Sequence, residues 1–181
     1  MEHPENLLVS SNRIDGNGIA LDISVESAGW EFCGLTVWTL APGGSLEAQT
    51  GEDEVCIVLL GGNCTVTVGQ DAFELNSRAS IFTGPPSAVY LPIHTSYDII
   101  ATEATEIAVC KSRATRTFPL RYIGPGDSPI EIRGAGNAAR QINHIIKPDF
   151  PADRLLVVEV FTPSGNWSSY PPHKHDVSRM P

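Results

Sequence analysis

The stretch from Val55 to Val68, VCIVLLGGNCTVTV, places two runs of apolar and β-branched residues on either side of a Gly-Gly-Asn turn. Val, Ile and Thr favour strands, and glycine supplies the positive φ angles that a tight connection requires. The stretch therefore predicts two strands joined by a tight turn. Similar short runs, separated by Gly, Pro, Asn and Asp, recur along the chain, and no long window shows helical periodicity. The sequence predicts an all-β protein.

The predicted strands fall into two groups. The first group comprises residues 31–40, 55–60, 64–68, 78–82, 88–91, 97–101 and 106–111, and the second comprises residues 140–146, 155–161 and the polar-aromatic segment 167–176. The density of strands over residues 20–115 is typical of a sandwich or jelly-roll barrel. Residues 116–139 are rich in Gly, Pro and charge and are predicted to connect two barrels. Residues 140–181 then form the incomplete start of a second barrel, because three strands cannot close one.

Composition excludes several classes of partner. The chain has 181 residues, 41% of them hydrophobic, with 12 Lys and Arg against 21 Asp and Glu, which gives a formal net charge of -9. Nucleic acid is not expected as a partner, since phosphate binding needs a concentrated basic surface. The N-terminus lacks the basic start and apolar run of a secretory signal, and no apolar run reaches about 18 residues. We expect a cytoplasmic protein without a membrane partner.

The four cysteines are predicted to be small core residues rather than ligands or redox groups. None of the four forms a CxxC pair, and all lie in segments whose composition favours strands: Cys33, Cys56, Cys64 and Cys110. A reducing compartment favours free thiols packed as small apolar side chains.

The triplet His173-Lys174-His175 carries the strongest signal for metal chemistry. On an extended strand, residues two apart point to the same face and can present two imidazoles to one ion. Catalytic metal sites need about three protein ligands, so the pair alone predicts only part of a site.

A second motif is excluded by its context. Residues 134–139, GAGNAA, match the dinucleotide-binding pattern GxGxxA by letters. That pattern requires a helix whose N-terminus receives the phosphates. The sequence that follows, QINHII at residues 141–146, predicts a strand instead of a helix. No dinucleotide site is therefore expected here.

Several blocks resemble the family of 5-deoxy-glucuronate isomerases, sugar-acid isomerases of inositol catabolism built from two cupin barrels. The longest is residues 155–176, LLVVEVFTPSGNWSSYPPHKHD, and blocks 27–30, 54–62, 131–134 and 143–145 follow in the same order. The resemblance implies an RmlC-like jelly-roll (cupin) fold, with the first barrel of a bicupin followed by the opening strands of the second. It also implies an aldose–ketose isomerisation that converts 5-deoxy-glucuronate to 2-deoxy-5-ketogluconate.

The resemblance further implies a divalent metal ion, zinc, manganese or iron, bound by His173 and His175 together with a later glutamate and a third histidine. No counterpart of those last two ligands stands before Pro181. We therefore expect an incomplete metal site and little isomerase activity in this chain. The general base, and with it any catalytic residue, remains unidentified in the sequence.

The general cupin pattern places a histidine pair, a glutamate and a later histidine inside the barrel, and only the glutamate has a counterpart in the first barrel here. Glu47 and Gln49 stand where a histidine pair is expected, Glu54 keeps the acidic position and Tyr97 replaces the late histidine. Glu47 and Glu54 are interpreted as barrel-mouth charges or structural hydrogen-bond acceptors. A metal in this barrel is not expected.

Two further histidines, His94 and His144, stand isolated in the sequence and are interpreted as structural or solvated side chains.

Two rival functions remain open. The chain could be a non-catalytic cupin module for oligomerisation or small-molecule binding, or a cupin oxygenase, although the latter needs a fuller histidine set. For the isomerase, the expected ligand is a small sugar acid. The strand at 155–161 is apolar on both faces, which predicts packing on the first barrel or on a second copy, and hence a homo-oligomer.

Overall fold

The computed structural model describes residues 9–10 and 18–170, and these are built almost entirely from strands. In chain order the elements are β1 (Ile19–Ile23), the helix α1 (Val25–Ala28), β2 (Cys33–Leu40), β3 (Ser45–Gln49), β4 (Asp53–Gly61), β5 (Cys64–Val68), β6 (Asp71–Leu75), β7 (Ala88–Leu91), β8 (Ser96–Ala101), β9 (Thr105–Arg113), β10 (Arg121–Ile123), β11 (Ile130–Arg133), β12 (Arg140–Ile146) and β13 (Val157–Phe161). The all-β prediction is confirmed.

Two antiparallel sheets pack face to face in the first part of the chain. One has the strand order β1-β2-β9-β4-β7-β10 and the other the order β3-β8-β5-β6. Their facing side chains form a core whose most deeply buried members include Ile57, Leu59, Val66, Leu91 and Ile99. This is the two-layer arrangement expected of a jelly-roll barrel. The two strands predicted within residues 55–68 are present but do not pair with each other: β4 lies in the larger sheet and β5 in the smaller, and the turn between them connects the two layers.

Strand β4 is buried on both of its faces. It pairs with β7 on one side and β9 on the other. Val55, Ile57 and Leu59 point into the core between the sheets. Cys56 and Val58 point to the outer face of the six-stranded sheet. Because side chains alternate along a strand, Glu54 also faces outward, away from the barrel interior.

The second part of the chain forms a separate antiparallel sheet of order β11-β12-β13. Ile145, Ile146, Leu155 and Val157 pack on the outer face of the six-stranded sheet, against a cluster that includes Tyr90. Burying each aliphatic side chain contributes about 1.5–3 kcal/mol. Packing on the first barrel, one of the predicted alternatives, is confirmed for this segment. The side chains of the neighbouring positions in β13 remain outside this contact, with Val158 50% and Val160 42% exposed.

Several predicted elements differ from the observed ones. The prediction of a strand at residues 78–82 is wrong, because Ser80 and Thr83 close a local turn with side-chain and backbone hydrogen bonds. Such local bonds compete with sheet pairing. Strands β1, β3, β6, β10 and β11 were absent from the prediction, since they are short and interrupted by polar residues. Residues 167–170 form no strand, and residues 171–176 of that predicted segment lie outside the described residues.

The cysteines match the prediction with one exception. All four are free; Cys56 and Cys64 are buried and Cys110 is half-buried, whereas Cys33 is exposed. Burial raises the pKa of the Cys64 and Cys110 thiols to about 11, and it raises the pKa of Cys56 as well. These three thiols therefore stay protonated and unreactive at neutral pH.

Among the described residues, no helix has the length and apolarity needed to cross a membrane.

The turn between β4 and β5 depends on Gly62, which has a φ of +93°. A Cβ there would meet the backbone of Ala104 and lie 2.7 Å from Thr105 Cα. Gly69→Ala is a matched control, because its φ is +60° but a Cβ would meet nothing within 4 Å. We expect Gly69→Ala to lower the free energy of unfolding by about 1–2 kcal/mol. Gly62→Ala should cost about 1–3 kcal/mol more, because the neighbouring backbone must move.

Urea unfolding of both variants measures the difference. Equal losses of unfolding free energy in the two variants would show that the backbone of residues 104–105 moves aside without energetic cost.

Candidate functional site

The positions that the general cupin pattern gives to metal ligands do not converge in the first barrel. On β3, Leu46 and Ala48 point into the core, so Glu47 and Gln49 point outward and are exposed. They lie opposite Asp98 and Ser96 of β8. The alignment of Glu47 and Gln49 with inward-facing ligands is therefore wrong, and Glu47 is a surface charge. Tyr97 does face the interior, where burial raises the pKa of its hydroxyl to about 12.

Glu54 is a carboxylate that accepts four hydrogen bonds. Its side chain is completely buried. Oε1 accepts the backbone N–H groups of Arg154 and Leu155, both at 2.6 Å, and Oε2 accepts the backbone N–H of Asp153 at 2.8 Å. The Tyr90 hydroxyl donates to Oε2 at 2.8 Å. The interpretation of Glu54 as a structural hydrogen-bond acceptor is confirmed, and its donors come from the second part of the chain.

Tyr90 links this carboxylate to the apolar contact between the two parts. Its ring is buried and meets Phe150 edge-on, with 5.5 Å between the ring centroids. Desolvation, followed by the hydrogen bond to Glu54, raises the pKa of the hydroxyl far above its ordinary range. Tyr90 therefore acts as a permanent donor and takes no part in proton transfer at neutral pH.

Asp153 continues the network on the other side of Glu54. Its carboxylate accepts the backbone N–H of Thr115 at 2.8 Å and Nε of Arg116 at 2.6 Å. The backbone N–H of Thr115, followed by the Arg116 side chain, lowers the pKa of Asp153 to about 2. The segment that follows β9 is thus tied to the same short loop that Glu54 binds.

A second polar contact joins the parts at Arg78. This buried guanidinium donates Nε and Nη2 to the carbonyl oxygen of Leu59 and makes a bidentate pair with Glu159, at 2.9 and 2.8 Å. Asn143 donates to the same carboxylate at 3.0 Å. A buried charge is costly unless it is paired and hydrogen-bonded, and both charges here are.

The two histidines interpreted as isolated differ from each other. His94 is exposed, with Nδ1 3.8 Å from a carboxylate oxygen of Glu52. His144 is not isolated, which corrects the prediction: its Nε2 lies 2.9 Å from Oε2 of Glu131. Glu131 also binds Arg133 through both oxygens, and Arg133, followed by His144, lowers the pKa of Glu131 to about 2.

The glycine-rich segment 134–139 connects two strands, β11 and β12, through a single 3-10 turn at Gly136–Ala138. The strand predicted after this segment is confirmed, because β12 begins at Arg140, where the dinucleotide pattern would require a helix. The loop instead holds the segment after β13. Trp167 donates its backbone N–H to Asn137 O at 2.7 Å, and Asn166 Nδ2 donates to Ala139 O at 2.8 Å.

The predicted metal ligands His173 and His175 lie outside the described residues. Within residues 9–10 and 18–170, no group of three or more His, Cys, Asp and Glu side chains is placed to hold a metal ion. The assignment of these two histidines stays a prediction.

Sequence reasoning missed the partners of Glu54 and the pair formed by Arg78 and Glu159. Arg78 is only 3% exposed. Its sequence neighbours are small and polar, so they do not indicate that the arginine will be buried. Glu159 in the apolar run of β13 was the available signal, since a charge inside such a run requires a partner.

We expect Glu54→Gln to lower the free energy of unfolding by about 3 kcal/mol. The amide keeps the shape of the side chain but replaces one acceptor oxygen with a donor that faces backbone N–H groups. Glu47→Gln, on an exposed position, is the control and should change stability by less than about 0.5 kcal/mol. Urea unfolding at pH 7 compares the two, and an unchanged midpoint for Glu54→Gln would show that these bonds are energetically neutral.

The low pKa of Asp153 predicts an acid-dependent loss of stability. A carboxyl whose folded-state pKa is depressed stabilises the fold above its unfolded value and loses that contribution as pH falls. For Asp153 the window runs from its ordinary value of 3.8 down to about 2. Asp153→Asn should therefore flatten the decline in unfolding free energy across pH 4 to 2, measured by urea titrations at each pH. A decline as steep as that of the wild type would contradict the assignment.

Comparisons with known proteins agree with this architecture. The model of the KduI/IolB family matches residues 7–181. A 5-deoxy-glucuronate isomerase of Geobacillus kaustophilus is 42% identical over 177 residues, which cover 97% of this chain and 64% of the relative. The 5-deoxy-glucuronate isomerase of Bacillus subtilis strain 168 is 36% identical over 91% of this chain and 63% of its own. The chain thus spans slightly less than two thirds of these relatives.

Solved structures give the same result. The crystal structure of an IolB-like protein from Salmonella typhimurium superposes with a TM-score of 0.90 at 38% identity, over 96% of this chain and 66% of that one. A putative glyoxylate-induced protein from Pseudomonas aeruginosa, at 12% identity and a TM-score of 0.55, shares the fold alone. The family model covers nearly the whole chain, the relatives exceed 30% identity and the described strands form a cupin-like β fold, so the chain belongs to the KduI/IolB family.

Proposed function

We propose that this chain is part of a 5-deoxy-glucuronate isomerase, which converts 5-deoxy-glucuronate to 2-deoxy-5-ketogluconate in inositol catabolism. The observation that carries the proposal is the 42% identity to a protein of that name over 97% of this chain. Because the chain spans 64% of that relative, activity and substrate belong to the proposal. The cytoplasmic location and the homo-oligomer expected from the sequence remain part of it.

The proposed reaction depends on a divalent metal ion, zinc, manganese or iron, with His173 and His175 as two of its ligands. When bound, such an ion polarises the sugar carbonyl and the adjacent hydroxyl. Imidazole nitrogens suit all three metals, and residues two apart on an extended strand face one ion together.

The described chain also offers a way to position the histidine pair. The loop at residues 134–139 fixes Asn166 and Trp167 by two hydrogen bonds. Trp167 in turn meets Tyr170 edge-on, with 5.9 Å between the ring centroids. His173 follows Tyr170 by three residues in the sequence. The glycine-rich loop thereby anchors the segment that leads to the proposed ligands.

A non-catalytic cupin module is the second candidate. It is favoured by the first barrel, where Glu47 and Gln49 face solvent and the carboxylate of Glu54 is fully engaged by backbone N–H groups. The exposed valines of β13 would then serve association with a second copy of the chain. A cupin oxygenase finds no comparable support in the described residues.

Metal binding distinguishes the two candidates. In a protein extended to the length of its relatives, we expect His173→Ala and His175→Ala to lower the isomerase rate and to weaken the binding of manganese or zinc at least about tenfold, because each removes a direct ligand. His94→Asn is the control, since His94 is exposed and asparagine tolerates its φ of +58°. Metal content after dialysis and conversion of 5-deoxy-glucuronate by the loaded protein are the measurements.

An extended wild-type protein that binds no metal supports the non-catalytic module. Binding that survives both alanine variants would contradict the ligand assignment.

A further inference from the structure

The sheet β11-β12-β13 has one face toward the first barrel and one face away from it. Asn143 of β12 and Glu159 of β13 lie opposite each other, and both point toward the first barrel, where Glu159 pairs with Arg78. Side chains alternate along a strand, so the next pair in the register, His144 and Val158, points away from the first barrel. The face that points away, here called the far face, includes Glu131, Arg133, Ile142, His144, Val158 and Val160.

The first barrel contains a similar pair of strands. β1 pairs with β2 as β12 pairs with β13, and β2 and β13 each lead into a turn with a glycine at positive φ, Gly43 or Gly165. Leu35 and Val157 stand at the same distance before these glycines, and both pack in the apolar cluster between the two parts. The alternate side of β2, which includes Trp38, packs on the core inside the first barrel. The far face of β13 is the counterpart of that interior side.

Three polar side chains on the far face are linked by hydrogen bonds. Arg133 donates Nε and Nη2 to the two carboxylate oxygens of Glu131, at 2.8 and 2.9 Å. Nε2 of His144 lies 2.9 Å from Oε2 of the same carboxylate. The side chain of His144 is 22% exposed and that of Glu131 is 41% exposed. The imidazole is thus held on one side and remains accessible.

Glu131 determines which nitrogen of His144 carries the hydrogen. Because Arg133, followed by His144, lowers the pKa of Glu131 to about 2, this group is a carboxylate at neutral pH and only accepts hydrogen bonds. A neutral imidazole beside it donates from Nε2, which leaves Nδ1 as the acceptor. Nδ1 has no hydrogen-bond partner among the described residues. An imidazole oriented by a carboxylate on one nitrogen, with the other nitrogen available, is the arrangement of a general base.

We propose, on the basis of the proposed function, that His144 is the general base of the isomerisation and that Glu131 positions its ring. The interior of a β-barrel is a common place for a small-molecule site, and the far face is the counterpart of such an interior. Of the histidines in the described part of the chain, His144 lies on this face, whereas His94 is an exposed residue of the first barrel. Imidazole is the side chain most often used to move protons near neutral pH.

The proton transfer needs no further reactant. Nδ1 of His144 takes the proton from the carbon next to the aldehyde, and the electron pair of that C–H bond forms the double bond of an enediol while the aldehyde oxygen takes up a proton. The imidazolium then returns its proton to the former aldehyde carbon, and the second oxygen loses its hydroxyl proton and becomes the ketone. One proton has moved between the carbons and one between the oxygens, so the composition of the sugar is unchanged.

Nitrogen-15 NMR of the imidazole ring tests the geometry in the present chain, without any activity. We expect the neutral ring of His144 to carry its hydrogen on Nε2 alone, and Glu131→Ala to give a mixture of the two tautomers because the ring loses its acceptor. A hydrogen on Nδ1, or a mixture already present in the wild type, would overturn the proposal.

Kinetics test the role in a protein extended to the length of its relatives, with 5-deoxy-glucuronate as substrate. We expect His144→Gln to lower kcat at least about a hundredfold with little change in KM, because the base acts on the reacting proton. Imidazole added to the buffer should restore part of the activity of His144→Ala. Glu131→Ala should lower kcat by a smaller factor, because it acts through the orientation of the ring. His94→Asn, on an exposed position, is the control and should leave kcat unchanged.

Failure of the base and failure of the isomerase give different results. An active extended wild type whose kcat survives His144→Gln keeps the proposed function and rejects the base. A folded His144→Ala variant that is inactive and gains nothing from imidazole makes His144 a structural residue, which also rejects the base. An extended wild type that never isomerises 5-deoxy-glucuronate rejects the function, and the base with it, whatever the tautomer of His144. Circular dichroism of each variant checks that the fold is retained.

Discussion

The buried carboxylate of Glu54 is the contact on which the relation between the two parts of the chain depends. A carboxylate removed from water must be compensated by hydrogen bonds, and Glu54 obtains four, three of them from the backbone of Asp153, Arg154 and Leu155. Those donors immediately precede β13. Since Glu54 is the second residue of the central strand β4, the strand that organises the first core also holds the loop that leads into β13.

The remaining contacts between the parts reinforce this one. Leu155 and Val157 bury apolar side chains beside Tyr90, and Glu159 closes the bidentate pair with Arg78. Along β13 the inward positions thus alternate with Val158 and Val160, which stay exposed. The alternation explains why the strand is apolar on both sides in the sequence: one side packs on the first barrel, while the other remains available to further protein.

Much of this could be predicted from the sequence, and the exceptions have physical reasons. The strands β4, β5, β7 and β12 follow from apolar runs and turn residues, and the observed bounds agree closely. The direction of Glu47 and Glu54 could not be predicted, because a shift of one residue reverses every side chain of a strand. The donors to Glu54 lie about 100 residues away in the sequence, and backbone N–H groups leave no trace in it.

Hydrogen exchange of the amide groups of Asp153, Arg154 and Leu155 tests the docking most directly. These N–H groups belong to a loop, and loop amides ordinarily exchange through small local openings. If Glu54 holds them as described, they should exchange only with the global unfolding of the protein, at the rate of the central β4 amides. Exchange at the rate of exposed loop amides, while β4 stays protected, would contradict the account and show that the second sheet detaches independently.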